Sequence, residues 1–272
     1  MMLRFSANLG YLFTDRPLPQ AIRAAAEAGF DAVECHFPYA TPSAEVTAAL
    51  AETGLPLIAL NTEPGDRAAG EFGLAALPGR EDHARAAIVR AVDYAVATGA
   101  GAVHVMAGVT DDPRAGATFA ENLRFACDRA AHHGLTVLIE PLNPRDVPGY
   151  HLQDAGHAAR LIADLARDNL RLMFDCYHLQ IIGGDLSMGF RALRPLIGHV
   201  QFASVPDRGD PDRGEVAYDW LLPRLAAEGW QTPFGAEYRP SSGRTEDSLG
   251  WLRRWKGGVE PRSATGPGLG DQ

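Results

Sequence analysis

The chain has 272 residues, 46% hydrophobic and 22% charged, with a formal net charge of −9 at pH 7. That length suits one large domain or two small ones, and a net negative field repels phosphate backbones, which argues against a nucleic-acid partner. No stretch of about eighteen apolar residues occurs, so nothing reads as a membrane span, and the N-terminal MMLRFSANLG lacks the apolar core of a secretion signal.

Short apolar runs alternate with longer amphipathic ones along the chain. LRFSANL (3–9) reads as the first strand and QAIRAAAEAGF as the helix that follows, ending at Gly29. AVECHF (32–37) is the second strand, and SAEVTAALAETG the second helix, with Ser43 as its expected cap and Gly54 at its end. PLIALNT (56–62) is the third strand. It leads into a loop, 61–81, that exceeds ordinary connector length and reads as a lid, with Glu71 and Arg80 bracing it. The helix REDHARAAIVRAVDYAVATGAG follows, then the strand AVHVMAG (102–108), the helix AENLRFACDRAAHHG and the strand TVLIEPLN (136–143). QDAGHAARLIADLA, the strand LRLMFDCYH (170–178), LSMGFRALRP, the strand IGHVQFAS (197–204), YDWLLPRLAAEG, the strand FGAEYR (234–239) and TEDSLGWLRRW complete the series. LSMGFRALRP carries an internal Gly, and YDWLLPRLAAEG an internal Pro.

Eight strand–helix units in about 255 residues predict an α/β fold, a single (β/α)8 TIM barrel over residues 1–256. The strands are apolar on both faces, as in a parallel sheet covered by helices. An open doubly wound sheet would carry a glycine-rich fingerprint after its first strand, and SANLGYLFTDRP has none. Residues 257–272, rich in Gly and Pro without apolar periodicity, read as a disordered tail. Cys35, Cys127 and Cys176 are far apart and odd in number, which points to a reducing, cytoplasmic setting. The exposed helix faces show no apolar stripe that would decide assembly, so a homo-oligomer stays open.

In such a barrel the chemistry lies at the C-terminal ends of the strands. Glu140, Asp175, Gln201 and Glu237 stand near the ends of strands five to eight, four successive walls about 4.8 Å apart. Three carboxylates and an amide form an all-oxygen set whose mutual repulsion a divalent cation would relieve, and hard oxygen ligands favour Mg²⁺ or Mn²⁺. His178, three residues beyond Asp175, could meet a substrate oxygen, and Arg208 in PDRGDPDRGE could fork onto a substrate carboxylate. Glu215 could orient either of them. Asn8, Glu34 and His104 are further candidates from strands one, two and four, whereas His36 and His199 read as core groups satisfied by backbone.

The motifs RFSANLGYLF, FPY (37–39), NTEPGDRAAGEFGLAALPGRE (61–81), IEPLNPRDVPGYHL, FDCYH, GHVQFASVPDRGDPDRGEVAYDWL and GAEYRP resemble the hydroxypyruvate isomerase family, within the wider xylose-isomerase-like barrels. The resemblance spans residues 3–256. It implies a divalent metal at Glu140, Asp175, Gln201 and Glu237, with the two glutamates doubling as acid and base in the interconversion of hydroxypyruvate and tartronate semialdehyde. Related members isomerise or epimerise other small hydroxy-carbonyl compounds, and a non-catalytic binding member or a metallohydrolase resembling apurinic endonucleases are the alternatives. The chain departs from the family at Ser204, Val205 and Asp207, which stand for an acid, an amide and an imidazole, and at Arg67, which stands for a common Trp. These changes leave the metal set in place and put the identity of the small-molecule substrate in question.

Overall fold

In the computed structural model, which describes residues 2–257, eight parallel strands close into one barrel in sequence order, with β8 returning to pair with β1. The strands are β1 (Phe5–Asn8), β2 (Ala32–Cys35), β3 (Leu57–Asn61), β4 (Ala102–His104), β5 (Thr136–Ile139), β6 (Leu170–Asp175), β7 (Ile197–Phe202) and β8 (Phe234–Ala236). Around them lie α1 (Leu18–Glu27), α2 (Ser43–Thr53), α3 (Glu81–Thr98), α4 (Ala115–Ala131), α5 (Ala155–Leu165), α6 (Cys176–Ile182), α7 (Leu186–Leu193), α8 (Tyr218–Ala227) and α9 (Gly250–Lys256). The TIM barrel expected from the alternation is therefore the fold. Of the predicted tail, residues 258–272 lie outside the described residues.

Each strand is shorter than its apolar run, and the difference is informative at β6. LRLMFDCYH reads as one strand to residue 178, but the strand ends at Asp175 and Cys176 opens α6. Asp175 is the cause: its Oδ1 accepts the Tyr177 amide at 2.8 Å, the contact of a helix N-cap. At α2 Pro42 takes the cap position, and Ser43, expected there, is the first helical residue. Pro223 sits inside α8 without ending it, and Leu221, Leu222 and Leu225 of that helix are buried against the barrel.

Side chains two apart on a strand share a face, so each wall sends one set inward and one outward. The outward set packs under the helices. Phe5 of β1 and Phe202 of β7 meet Trp251 of α9 edge-on, with ring centroids 5.2 and 5.5 Å away, and Trp255 packs beside them. The inward set divides in two. Ala59, Ala102, Leu138 and Met173, from β3 to β6, form a separate apolar cluster. Ser6, Glu34 and His199, from β1, β2 and β7, form a polar one in which Glu34 accepts from Ser6 Oγ at 2.9 Å and lies 2.9 Å from His199 Nε2. His199 is thus satisfied by a side chain, where the sequence had suggested backbone.

Candidate active site

The C-terminal mouth of the barrel opens into a cavity of about 200 Å³ bordered by Tyr11, His36, His104, Glu140, His178 and Glu237. Arg67, Phe72, Arg208 and Arg239 also border it. Arg67 and Phe72 come from the long loop after β3, where the guanidinium lies 4.6 Å over the Phe72 ring. That loop is pinned. Glu71 pairs with Arg80, Asp66 Oδ1 accepts the amides of Ala68 and Ala69, and Gly73 bridges Ala107. Gly73 has φ of +112° and its Cβ position lies 2.7 Å from backbone atoms of Met106 and Gly108, so only glycine permits this approach.

Glu140 follows the last residue of β5 and Glu237 the last of β8, and both are buried. Their surroundings differ. Glu237 is fully engaged: Asn8 Nδ2 and His36 Nε2 meet its Oε1 at 3.1 and 2.6 Å, and Arg208 donates to Oε2 at 2.8 Å. Burial pushes its carboxyl up, but Arg208 and His36 outweigh that and hold it at about 2. Glu140 has no such company. Its Oε1 lacks a partner, and the nearest basic atom is His104 Nδ1, 3.7 Å from Oε2. Burial, reinforced by the charges of Glu237 and Asp175, raises its carboxyl well above the usual carboxylate range.

Asp175 and Gln201 continue this pattern. They are register partners on β6 and β7. Asp175 spends Oδ1 on the α6 cap and leaves Oδ2 without a hydrogen bond, 3.5 Å from Arg208. Burial raises its carboxyl to about 7, against the pull of Arg208. Gln201 donates Nε2 to Glu34 at 2.9 Å and leaves Oε1 unpaired. Buried polar atoms are nearly always paired, and three unpaired oxygens on adjoining strands mark a place for something that accepts lone pairs. The residues therefore fit a hard divalent cation.

Glu140, Asp175 and His178 also bring ligand-capable atoms within 4.8 Å of one another. The imidazole's hydrogen bonding decides its part. His178 Nδ1 accepts the Asn143 amide at 3.0 Å and is therefore unprotonated. Burial and Arg208 keep the ring neutral, so its proton sits on Nε2, 3.7 Å from Asp175 Oδ2. That nitrogen is a hydrogen-bond donor, and a ligand needs a free lone pair.

Arg208 occupies the centre. Its guanidinium lies 5.0 Å from the rings of both Tyr11 and Tyr177, and Glu237, Tyr11 and Asp175 hold it protonated against the cost of burial. The turn presenting it is held by its own side chains: Ser204 Oγ donates to Asp207 Oδ1 at 2.7 Å and accepts the Gly209 amide at 2.9 Å. Arg208 itself has φ of +55°, a strained left-handed conformation for a side chain of this size.

Two sequence expectations turn out differently. Glu215 is exposed and borders no part of the cavity. Its amide donates to Val205 O, and that hydrogen bond fixes the loop with the carboxylate facing outward. His36 had read as a core group satisfied by backbone, yet it bonds Glu237, and a Cβ at Gly10 would fall 2.1 Å from its Nδ1. Its place one residue beyond β2, matching Glu140 beyond β5, was the available signal. Tyr11 was missed, since an aromatic at a strand end reads as core. His104 is buried with both nitrogens unpaired, and burial lowers its pKa to about 4.

A family model described as xylose isomerase-like TIM barrel matches residues 22–255. The chain belongs to that family. A 2-oxo-tetronate isomerase of Cupriavidus necator is 46% identical, covering 94% of this chain and 100% of its own. The hydroxypyruvate isomerase of Escherichia coli K12 is 37% identical, covering 92% of this chain and 98% of its own. A crystal structure described as an AP endonuclease, family 2, from Brucella melitensis superposes with a TM-score of 0.88 at 42% identity, over 92% of this chain and 98% of that one. This member of the family is an isomerase. No helix among the described residues is long and apolar enough to cross a membrane.

Proposed function

We propose that the protein isomerises a small 2-oxo or hydroxy-oxo acid, of the hydroxypyruvate or 2-oxo-tetronate type, by moving a proton between neighbouring carbons. The observation that carries this reading is the pair of buried glutamates bordering one small cavity, one with an unpaired oxygen and one fully engaged. Glu140, Asp175, Gln201 and Glu237 would hold Mg²⁺ or Mn²⁺ there. When bound, the ion supplies Lewis-acid stabilisation of negative charge building on the substrate's oxygens.

The chain's own residues account for the proton. One of the two glutamates takes the carbon-bound proton. The same residue, or the one facing it from the other wall, returns it to the adjoining carbon. His178, with its proton on Nε2, and the Arg208 fork orient the substrate's oxygens, and Tyr11 and Tyr177 keep the guanidinium in line. Asn8 fixes Glu237 from the floor, and His104 stands beside Glu140 as a neutral contact for substrate. Because the two glutamates rise from β5 and β8, separate walls of the barrel, the same machinery suits an epimerase.

The endonuclease reading lacks comparable support. A cavity of about 200 Å³ beneath a chain of net charge −9 is poorly suited to a polynucleotide. Three buried, unbonded cysteines agree with a cytoplasmic setting.

The test is solvent exchange. Purified protein in D₂O with Mg²⁺ or Mn²⁺ is expected to incorporate deuterium into hydroxypyruvate or 2-oxo-tetronate, followed by proton NMR. Wild-type protein that binds these acids without exchange would leave a binding protein, and exchange with neutral ketoses alone would move the substrate class.

A further inference from the structure

Gln201 is the odd member of the metal set. It is neutral, and its amide has two ends of similar shape, only one of which carries lone pairs. An amide free to turn would present its NH₂ to the ion half the time and bind it weakly. The structure contains what prevents this. Glu34, on β2 across the barrel interior, is 2% exposed and receives Gln201 Nε2 at 2.9 Å on Oε2. A carboxylate accepts and does not donate, so the amide satisfies it in one orientation, NH₂ toward Glu34 and Oε1 away. In that orientation Oε1 is buried and has no partner, beside the equally unpaired Oδ2 of Asp175 on the adjoining strand.

Glu34 is itself held. Ser6 Oγ donates to Oε1 at 2.9 Å, and His199 Nε2 lies 2.9 Å from Oε2, so three polar groups from β1 and β7 converge on one carboxylate. The close approach depends on a gap in β8. A Cβ at Gly235 would fall 2.3 Å from Glu34 Oε1, 2.8 Å from Gln201 Cγ and 2.9 Å from His199 Nε2. Glycine at 235 lets the network cross the barrel, and none of these three side chains can swing away without losing its partner.

We propose that Glu34 is a positioning residue that commits the Gln201 amide to its ligand orientation, with Ser6 and His199 fixing Glu34. This rests on the metal reading given above. Loss of an outer partner of this kind weakens metal binding by about 10- to 100-fold. In Glu34→Gln the new amide offers its own NH₂, and Gln201 can turn its oxygen toward it and away from the ion.

The experiment measures Mn²⁺ affinity of metal-stripped protein by EPR and calorimetry, with no substrate present. Glu34→Gln is expected to bind about 10- to 100-fold more weakly than wild type. In a Gln201→Ala background the same change is expected to do about nothing, since sites acting through one another are non-additive. Glu34→Asp, which keeps an acceptor on a shorter arm, is expected to recover part of the affinity. Thermal unfolding in EDTA reports whether each variant is folded, and a variant that is not is replaced in the comparison by Ser6→Ala, expected to weaken binding in the same direction. Wild-type affinity in Glu34→Gln, or an equal loss with and without Gln201, overturns the proposal while leaving the metal site standing. Wild-type protein that binds no Mn²⁺ overturns the metal reading and this proposal with it.

Discussion

The two halves of the barrel interior are built on opposite plans. Between β3 and β6 the floor is apolar, made by Ala59, Ala102, Leu138 and Met173, and the carboxylates above it, Glu140 and Asp175, keep unpaired oxygens. From β7 round to β2 the floor is polar, made by Ser6, Glu34 and His199, and Glu237 above it is saturated by Asn8, His36 and Arg208. Two glutamates at matching strand ends thus meet different dielectrics and different partners. Identical side chains are driven apart, Glu237 held down by Arg208 and His36 and Glu140 pushed up by burial and its acidic neighbours.

The contrast can be broken most sharply at the two glutamates themselves. Glu140→Gln and Glu237→Gln are each expected to lower kcat/KM by roughly 10³-fold, within the range for a lost acid or base, as read by the deuterium-exchange rate. Their stabilities are expected to part company. Glu237→Gln leaves Arg208 buried without its closest counter-charge and is expected to cost about 3 kcal/mol in urea unfolding. Glu140→Gln removes a carboxyl that the metal-free protein leaves unsatisfied and is expected to cost nothing or to stabilise. Equal losses in the two variants would abolish the distinction between the halves.

A pH titration sharpens the same comparison on the apolar side. His104 has a folded pKa of about 4, lowered by burial from 6.5. The unfolded chain therefore binds the extra proton first as pH falls, so stability is full above about 6.5 and is lost progressively down to about 4. The full difference is about 3 kcal/mol. Urea unfolding in EDTA across that window is expected to show the slope, and His104→Asn to flatten it. Mn²⁺ at about a hundred times its Kd is expected to stabilise the metal-stripped protein by about 2.7 kcal/mol, and to do so less in Asp175→Asn. The smallest effect is expected at Ser204→Ala, about 1 kcal/mol, from the hydrogen bonds that shape the turn under Arg208.

Much of this was legible before any coordinates. Eight apolar runs gave the barrel, and Glu140, Asp175, Gln201 and Glu237 near the ends of the last four gave the end at which chemistry would collect, because strand period and strand-end position are local properties. What stayed hidden depends on distance across the barrel. Nothing near Glu237 in sequence reveals that His36, two hundred positions earlier, is its partner, and nothing near Gln201 points to Glu34. The boundary of β6 was missed for a different reason: Asp175 doubles as a strand end and a helix cap, and apolar content alone cannot divide the two. Glu215 misled because a charged residue in a loop says little about which way the loop turns.

The order in which the barrel is assembled carries a last consequence. β1 is made more than two hundred residues before β8, with which it pairs, and Phe5 is also covered by Trp251 and Trp255 of α9. Until β8 emerges the nascent chain carries an open sheet edge, and until α9 follows it carries aromatic rings without their tryptophan cover, the features that invite chaperones and self-association. Truncation just before residue 250 therefore yields a chain that has all eight strands and leaves Phe5 and Phe202 without Trp251.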